Sequence, residues 1–118
     1  MKILIVDRDE SILFLYKEEF EADGHQVVGT LSGRAVPELI AKEKPGVVVV
    51  GSRLIDFDTL ELMDLVKAAH PDLPMVLNTS LYELRVRAKE HGAEYLASRT
   101  SDLMELRKIF KEIEQRIK

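Results

Sequence analysis

Apolar positions along the chain fall into two kinds of block: short runs closed by a polar residue, and longer stretches with apolar residues every three or four positions. Residues 2–6 form the first short run, and Asp7-Arg8-Asp9 breaks it with charge, which predicts a strand ending at residue 6. Asp9 is placed as a helix N-cap, with Ile12, Leu13, Tyr16 and Phe20 at helical spacing until Asp23-Gly24 stops the pattern. Residues 25–29 read as a second strand, shorter and more polar, suited to a sheet edge. Ser32-Gly33 then starts a helix through Val36, Leu39 and Ile40; Pro37 is tolerable only near its first turn, and Lys44-Pro45-Gly46 ends it.

Four consecutive valines, 47–50, are the pattern of a strand buried on both faces, halted by Gly51-Ser52. A loop to Asp58 leads into an amphipathic helix carrying Leu60, Leu62, Met63, Leu65, Val66 and Ala69, ended by His70-Pro71-Asp72. Residues 73–77 are the fourth strand, with Asn78-Thr79-Ser80 as its polar exit. Residues 82–91 predict a helix thin in apolar residues. Leu84 and Ala88 face the core, Arg85, Arg87 and Lys89 are solvated, Val86 is exposed, and Gly92 closes it. Residues 94–97 are a fifth strand, and Ser98-Arg99-Thr100-Ser101 turns into a last helix with Leu103, Leu106, Phe110, Ile113 and Ile117 in steps of three and four.

Strands alternating with helices imply right-handed βαβ crossovers and a three-layer α/β fold around a parallel sheet. The polar exits Asp7-Arg8, Gly51-Ser52, Thr79-Ser80 and Ser98-Arg99 then converge at one end of that sheet. With 118 residues the chain is read as a single domain, 1–118. Apolar residues at 46% and charged residues at 32% describe an ordinary globular chain with no membrane span. A net charge of −4 supplies no basic footprint for nucleic acid. The absence of cysteine removes disulfides and thiolate chemistry and suits a cytoplasmic protein. His25, His70 and His91 share no metal-ligand spacing, and Ser52 has no histidine placed near it as a base.

Asp7 after the first strand, Asp23-Gly24, Ser32-Gly33, Lys44-Pro45, the run from Arg53 to Asp58, Leu60-Glu61-Leu62, Pro71-Asp72-Leu73-Pro74, Thr79 and Gly92-Ala93 stand together at a characteristic spacing. In these pieces the whole chain resembles the receiver domains of bacterial response regulators. The resemblance implies a flavodoxin-like (βα)5 doubly wound sheet of order 2-1-3-4-5. It also implies Mg²⁺-assisted phosphoryl transfer from a histidine kinase to an aspartate at the end of strand three. Of the family's groups, the first metal-holding acid matches Asp7 and the phosphate-contacting hydroxyl matches Thr79. The nucleophilic aspartate matches Gly51, the second acid Arg8, the lysine Arg99 and the proline after it Thr100.

Gly51 carries no carboxylate, so no acyl phosphate forms there. Arg8 replaces a metal-facing anion with a cation, so Mg²⁺ binding is expected to be lost and no cofactor is expected. Two compensating changes of sign suggest a salt bridge from Asp7 to either Arg8 or Arg99. Competing readings are plainer: Gly51 as a turn glycine at positive φ, Arg8 as a surface residue and Thr79 as an ordinary strand-exit hydroxyl. The switch aromatic of the family falls at Leu96, with Tyr95 pointing to the opposite side; a register slipped by one would rescue Tyr95 and put Ser98 in the lysine slot.

The reading is a degenerate receiver, not an enzyme, acting through protein contacts. By resemblance, a signalling partner or a second copy docks on the face of the fourth helix, fifth strand and fifth helix: residues 84–89, 94–97 and the exposed side of 102–118. An alternative uses Arg8, Ser52, Thr79 and Arg99 as an anion or nucleotide site. Phosphorylation at Asp56 or Asp58 instead is disfavoured, because both lie beyond the reach of Arg99.

Overall fold

The computed structural model describes residues 1–116. Five strands and five α-helices alternate: β1 (Lys2–Val6), α1 (Glu10–Ala22), β2 (Gln26–Thr30), α2 (Val36–Glu43), β3 (Val47–Gly51), α3 (Thr59–Ala69), β4 (Met75–Asn78), α4 (Tyr82–Arg87), β5 (Tyr95–Ala97) and α5 (Met104–Arg116), with a 3₁₀ turn at Lys89–His91. All neighbouring strands pair in parallel, in the order β2-β1-β3-β4-β5. The expected doubly wound architecture and strand order are both present.

Alternation along the strands divides the core in two. Leu4, Val6, Val48, Val50, Met75 and Leu77 face α2, α3 and α4. Ile3, Ile5, Val47, Val49 and Val76 face α1 and α5, where Tyr16, Phe20 and Phe110 are fully buried. All of β3 is buried, as its unbroken valines require when both faces are covered. Asp9 caps α1 by accepting from the Ser11 amide at 2.8 Å, as the sequence predicts.

Several boundaries and faces differ from expectation. The second helix starts at Val36, because Ser32-Gly33 is drawn into a turn by Asp56. Leu65 is 51% exposed and Ala69 is also exposed, since Thr59, Leu62, Met63 and Val66 form the stripe that meets the sheet. The helix expected over 82–91 is α4 followed by the 3₁₀ turn. Leu84 and Ala88 pack inward and Val86 is exposed, as predicted, but Arg85 is not free in solvent. Its Nη1 donates to the carbonyls of Thr79 at 3.0 Å and Ala97 at 3.1 Å, tying α4 to the exits of β4 and β5. The last helix runs on the predicted spacing; Ile117 and Lys118, included in that reading, lie outside the described residues.

Candidate functional site

Strand order reverses between β1 and β3, whose neighbours lie on opposite sides. A crevice at the carboxyl ends of such strands is the usual place for a site in an open α/β sheet. Asp7 directly follows β1 and Gly51 is the last residue of β3, paired in register with Asn78 of β4. Continuing the alternation of the strands, Asp7, Gly51 and Asn78 all belong to the side covered by α1 and α5.

Asp7 is 1% exposed and accepts three hydrogen bonds. Arg99 grips it with two parallel bonds, Nε to Oδ2 at 2.9 Å and Nη2 to Oδ1 at 2.8 Å, while the Asp9 amide donates to Oδ1 at 2.9 Å. This bidentate geometry is specific to a guanidinium and is the strong form of a charge-assisted pair. The bonds to Asp7 raise the Arg99 pKa further, against a smaller opposing effect of burial. Arg8 does not join the pair. Its Nη1 donates to the Ser52 carbonyl at 3.0 Å, clasping the β3 exit.

Gly51 is part of the β3 ladder and is not among the positive-φ glycines, which are Gly24 and Gly92. A left-handed turn therefore does not explain it. The space around it does: a Cβ at this position would lie 2.9 Å from Asp7 Oδ2 and 3.1 Å from the Val6 carbonyl oxygen. The carboxylate held by Arg99 leans into the volume that any side chain at position 51 would need.

Beside Gly51, Asn78 is 1% exposed and its Nδ2 donates to the Tyr16 hydroxyl at 2.9 Å, with Asn78 Oδ1 unpartnered. Burial raises the Tyr16 pKa, and the nearby Asp7 charge adds to this while the Asn78 bond and Arg99 oppose it. The sequence reading treated Asn78 as a strand exit and Tyr16 as core. The structure adds a buried hydrogen bond that joins α1 to the residue paired with Gly51 on β4.

On the opposite side of the strand exits, Thr79 is fully buried and its Oγ1 donates to Ser52 Oγ at 2.8 Å while accepting from the Leu81 amide at 3.1 Å. Arg8, Ser52, Arg53, Thr79, Ser80 and Arg99 line a cleft of about 90 Å³ here. The predicted residues Asp7, Arg8, Gly51, Ser52, Thr79 and Arg99 are thus brought to one end of the sheet. Arg53 joins them, at φ 53°; no pattern in the sequence signals that conformation.

The two other candidate acids are engaged elsewhere. Asp56 accepts from Ser32 Oγ at 2.6 Å and the Gly33 amide at 2.7 Å, and these bonds lower its pKa. Asp58 caps α3 through the Glu61 amide at 3.0 Å. Tyr95 packs on the α1–α5 side and accepts from Arg116 Nη1 at 2.8 Å, whereas Leu96 packs on the other side. With Arg99 reaching Asp7, this geometry follows the unslipped register.

A divalent cation such as Mg²⁺ needs several oxygen ligands and little competing positive charge. Asp7 offers one carboxylate with both oxygens bonded to Arg99, and Arg8 sits beside it. No group of three or more metal-ligating side chains occurs among the described residues. The donor set does not fit the ion that the family resemblance implies.

The family model for the response regulator receiver domain matches residues 3–111. Sporulation initiation phosphotransferase F of Bacillus subtilis is 28% identical over 108 residues, covering 90% of this chain and 87% of that protein. The DNA-binding transcriptional regulator NtrC of Escherichia coli is 30% identical over 97 residues, 80% of this chain but 21% of the regulator's own length. Among solved structures, the BeF3-activated N-terminal receiver domain of Klebsiella pneumoniae RstA superposes with a TM-score of 0.87 at 25% identity, covering 95% of this chain and 97% of that one. The fold, the convergence of strand exits on Asp7 and Gly51, and these matches lead to one conclusion: the chain belongs to the response regulator receiver domain family.

Proposed function

We propose that this receiver domain works as a protein-contact module of a two-component or phosphorelay system without being phosphorylated on aspartate. The observation that carries the reading is the end of β3, where Gly51 supplies no nucleophile and the Asp7 carboxylate, fixed by Arg99, stands 2.9 Å from where a Cβ would be. A phosphoryl group has no carboxylate to accept it there, and the remaining acid is neutralised. Loss of the nucleophile and replacement of the lysine by an arginine that fits Asp7 are one coordinated change, in which the charge that would have met a phosphoryl group now meets a resident carboxylate.

Contacts are assigned to the face of α4, β5 and α5. Tyr82 and Val86 on α4 are 77% and 57% exposed, and Met104 at the start of α5 is 68% exposed. These apolar side chains stand among charged neighbours, the composition of a surface that meets another protein. Arg85 fixes the position of α4 by bonds to two backbone carbonyls, so this face has a defined shape with no phosphoryl group in the pocket. In this reading the chain is a single non-enzymatic domain in the cytoplasm; no described helix is long and apolar enough to cross a membrane.

Incubation with acetyl phosphate and Mg²⁺, followed by intact mass measurement, tests the proposal. No phosphoryl adduct is expected, and a stable acid-resistant, base-labile adduct on any aspartate would overturn it.

A further inference from the structure

The two edges of the sheet are finished differently. β5 is three residues long, and shortness is a usual defence of an edge against pairing with a foreign strand. β2 has none of the usual defences. Its five residues, Gln26, Val27, Val28, Gly29 and Thr30, include no charge and no proline, and they pair with β1 without a bulge. The Gln26 amide donates to the Met1 carbonyl and the Thr30 carbonyl accepts from the Asp7 amide, so the even-numbered residues of β2 bond inward. By alternation, the N–H and C=O groups of Val27 and Gly29 point out of the sheet. Among the described residues no backbone bond from a loop or turn reaches them.

Gly29 is not at positive φ, and a Cβ on it would meet nothing nearer than Leu13 Cδ2 at 3.4 Å, an ordinary contact. Unlike Gly51, it is required neither by a turn nor by crowding within the chain. Glycine inside a strand weakens it and marks a place where another backbone comes close. Beside it a groove of about 420 Å³ runs between α1 and β2, with Glu10, Leu13, Phe14 and Lys17 along its helical wall. Phe14 is 66% exposed. Glu10 and Lys17 lie about two helical turns apart on the same stripe, with Phe14 between them. Among the described residues Glu10 forms no ion pair, and Lys17 holds only Glu21, an exposed pair of little strength.

From this we infer that a second copy of the chain docks along this edge, its β2 pairing antiparallel with β2 across a twofold axis perpendicular to the sheet. Centring the axis on Val28 sets Val27 against Gly29 of the other copy, where each N–H meets the opposing C=O. Such an axis keeps both α1 helices on one side of the joined sheet, running antiparallel, with Phe14 closing over the seam. It also brings Glu10 of each copy to Lys17 of the other, so the order acid, aromatic, base along α1 is complementary to itself. That self-complementarity names the occupant: a strand from an unrelated protein satisfies the backbone of β2 but leaves Glu10 and Lys17 unmatched. The interface is independent of the proposed function, since β5 forms the opposite edge of the sheet, and the dimer presents the face of α4, β5 and α5 twice.

Sedimentation equilibrium of the full chain from about 10 µM to about 1 mM tests it. A reversible equilibrium between monomer and dimer is expected, weakened about fivefold by Glu10→Lys or by Lys17→Glu. The two reversals together should restore it to within about twofold of wild type, because opposite charges face each other again. Phe14→Ser should weaken it at least about tenfold, since the ring is present twice in the contact. All three positions are exposed, so thermal melts of the variants should stay close to that of the wild type. Amide hydrogen exchange of the wild type needs no substitution: Val27 and Gly29 are expected to gain protection as concentration rises. A chain that stays monomeric at the highest concentration, or a dimer indifferent to these substitutions, would overturn the inference. So would a double reversal no tighter than the single ones, or a dimer whose Val27 and Gly29 amides exchange as fast as in the monomer.

Discussion

Gly51→Ala is the sharpest probe of the pocket, because it adds one methyl group where the structure has room for none. The new Cβ would sit 2.9 Å from Asp7 Oδ2 and 3.1 Å from the Val6 carbonyl oxygen. Backbone cannot yield cheaply inside a sheet, and Asp7 cannot swing away without losing one or both bonds to Arg99. Overpacking of this kind costs about 1–3 kcal/mol. Because Gly51 is not at positive φ, alanine also restricts the unfolded chain and returns about 0.4–1 kcal/mol. The net expectation is a loss of roughly 0.5–2 kcal/mol, which at a urea m-value of about 1–3 kcal/mol/M lowers the midpoint by about 0.2–2 M.

Repeating the substitution in an Asp7→Ala background isolates the cause, since the clash with the carboxylate is then gone and the cost should fall by at least about 1 kcal/mol. Equal or greater stability of Gly51→Ala over wild type, or the same cost in both backgrounds, would refute the claim that Asp7 occupies the space. Gly51→Asp adds a second buried carboxylate to one guanidinium. A further loss of about 3–5 kcal/mol is expected, a large part of the roughly 5–15 kcal/mol that holds a domain folded.

Arg99→Ala should destabilise more than Asp7→Ala, by about 1–2 kcal/mol in chemical denaturation, because it strands a carboxylate that is 1% exposed, whereas the Arg99 side chain at 15% can regain water; the reverse order would show that Asp7 is not the group that burial penalises. Asp56 has a folded pKa below its unfolded value of about 3.9, owing first to the Ser32 hydroxyl and then to the Gly33 amide. Its contribution is therefore present above that unfolded pKa and lost as pH falls through the folded one. Asp56→Asn should flatten the stability profile below about pH 4 and leave its slope at neutral pH unchanged, as thermal melts across pH would show; an unaltered acid limb would discount the cap.

Local pattern carried most of the architecture. The valine run of β3, the three- and four-residue steps of α5 and the Asp9 cap of α1 each depend on neighbours along the chain, so their expected and observed forms agree. Misreadings arose where distant residues decide. Ser32-Gly33 looked like a helix start until Asp56 claimed it, and Arg85 looked solvated until two strand-exit carbonyls came within reach. Leu65 was assigned to the buried stripe because periodicity gives a face but not its width.

By itself the sequence determined the strand order's class, the residues gathered at the sheet's carboxyl end and the absence of a carboxylate at position 51. Which arginine would pair with Asp7 was open, and so was the reason for a glycine there. Tertiary structure decided both, since Arg99 lies 92 residues from Asp7 and meets it only when β5 takes its edge position. The same closure turns the carboxylate toward β3 and leaves room at its end for a hydrogen atom and nothing larger. Chemistry written in residue types is local, whereas a salt bridge and an excluded volume are properties of atoms that the fold alone brings together.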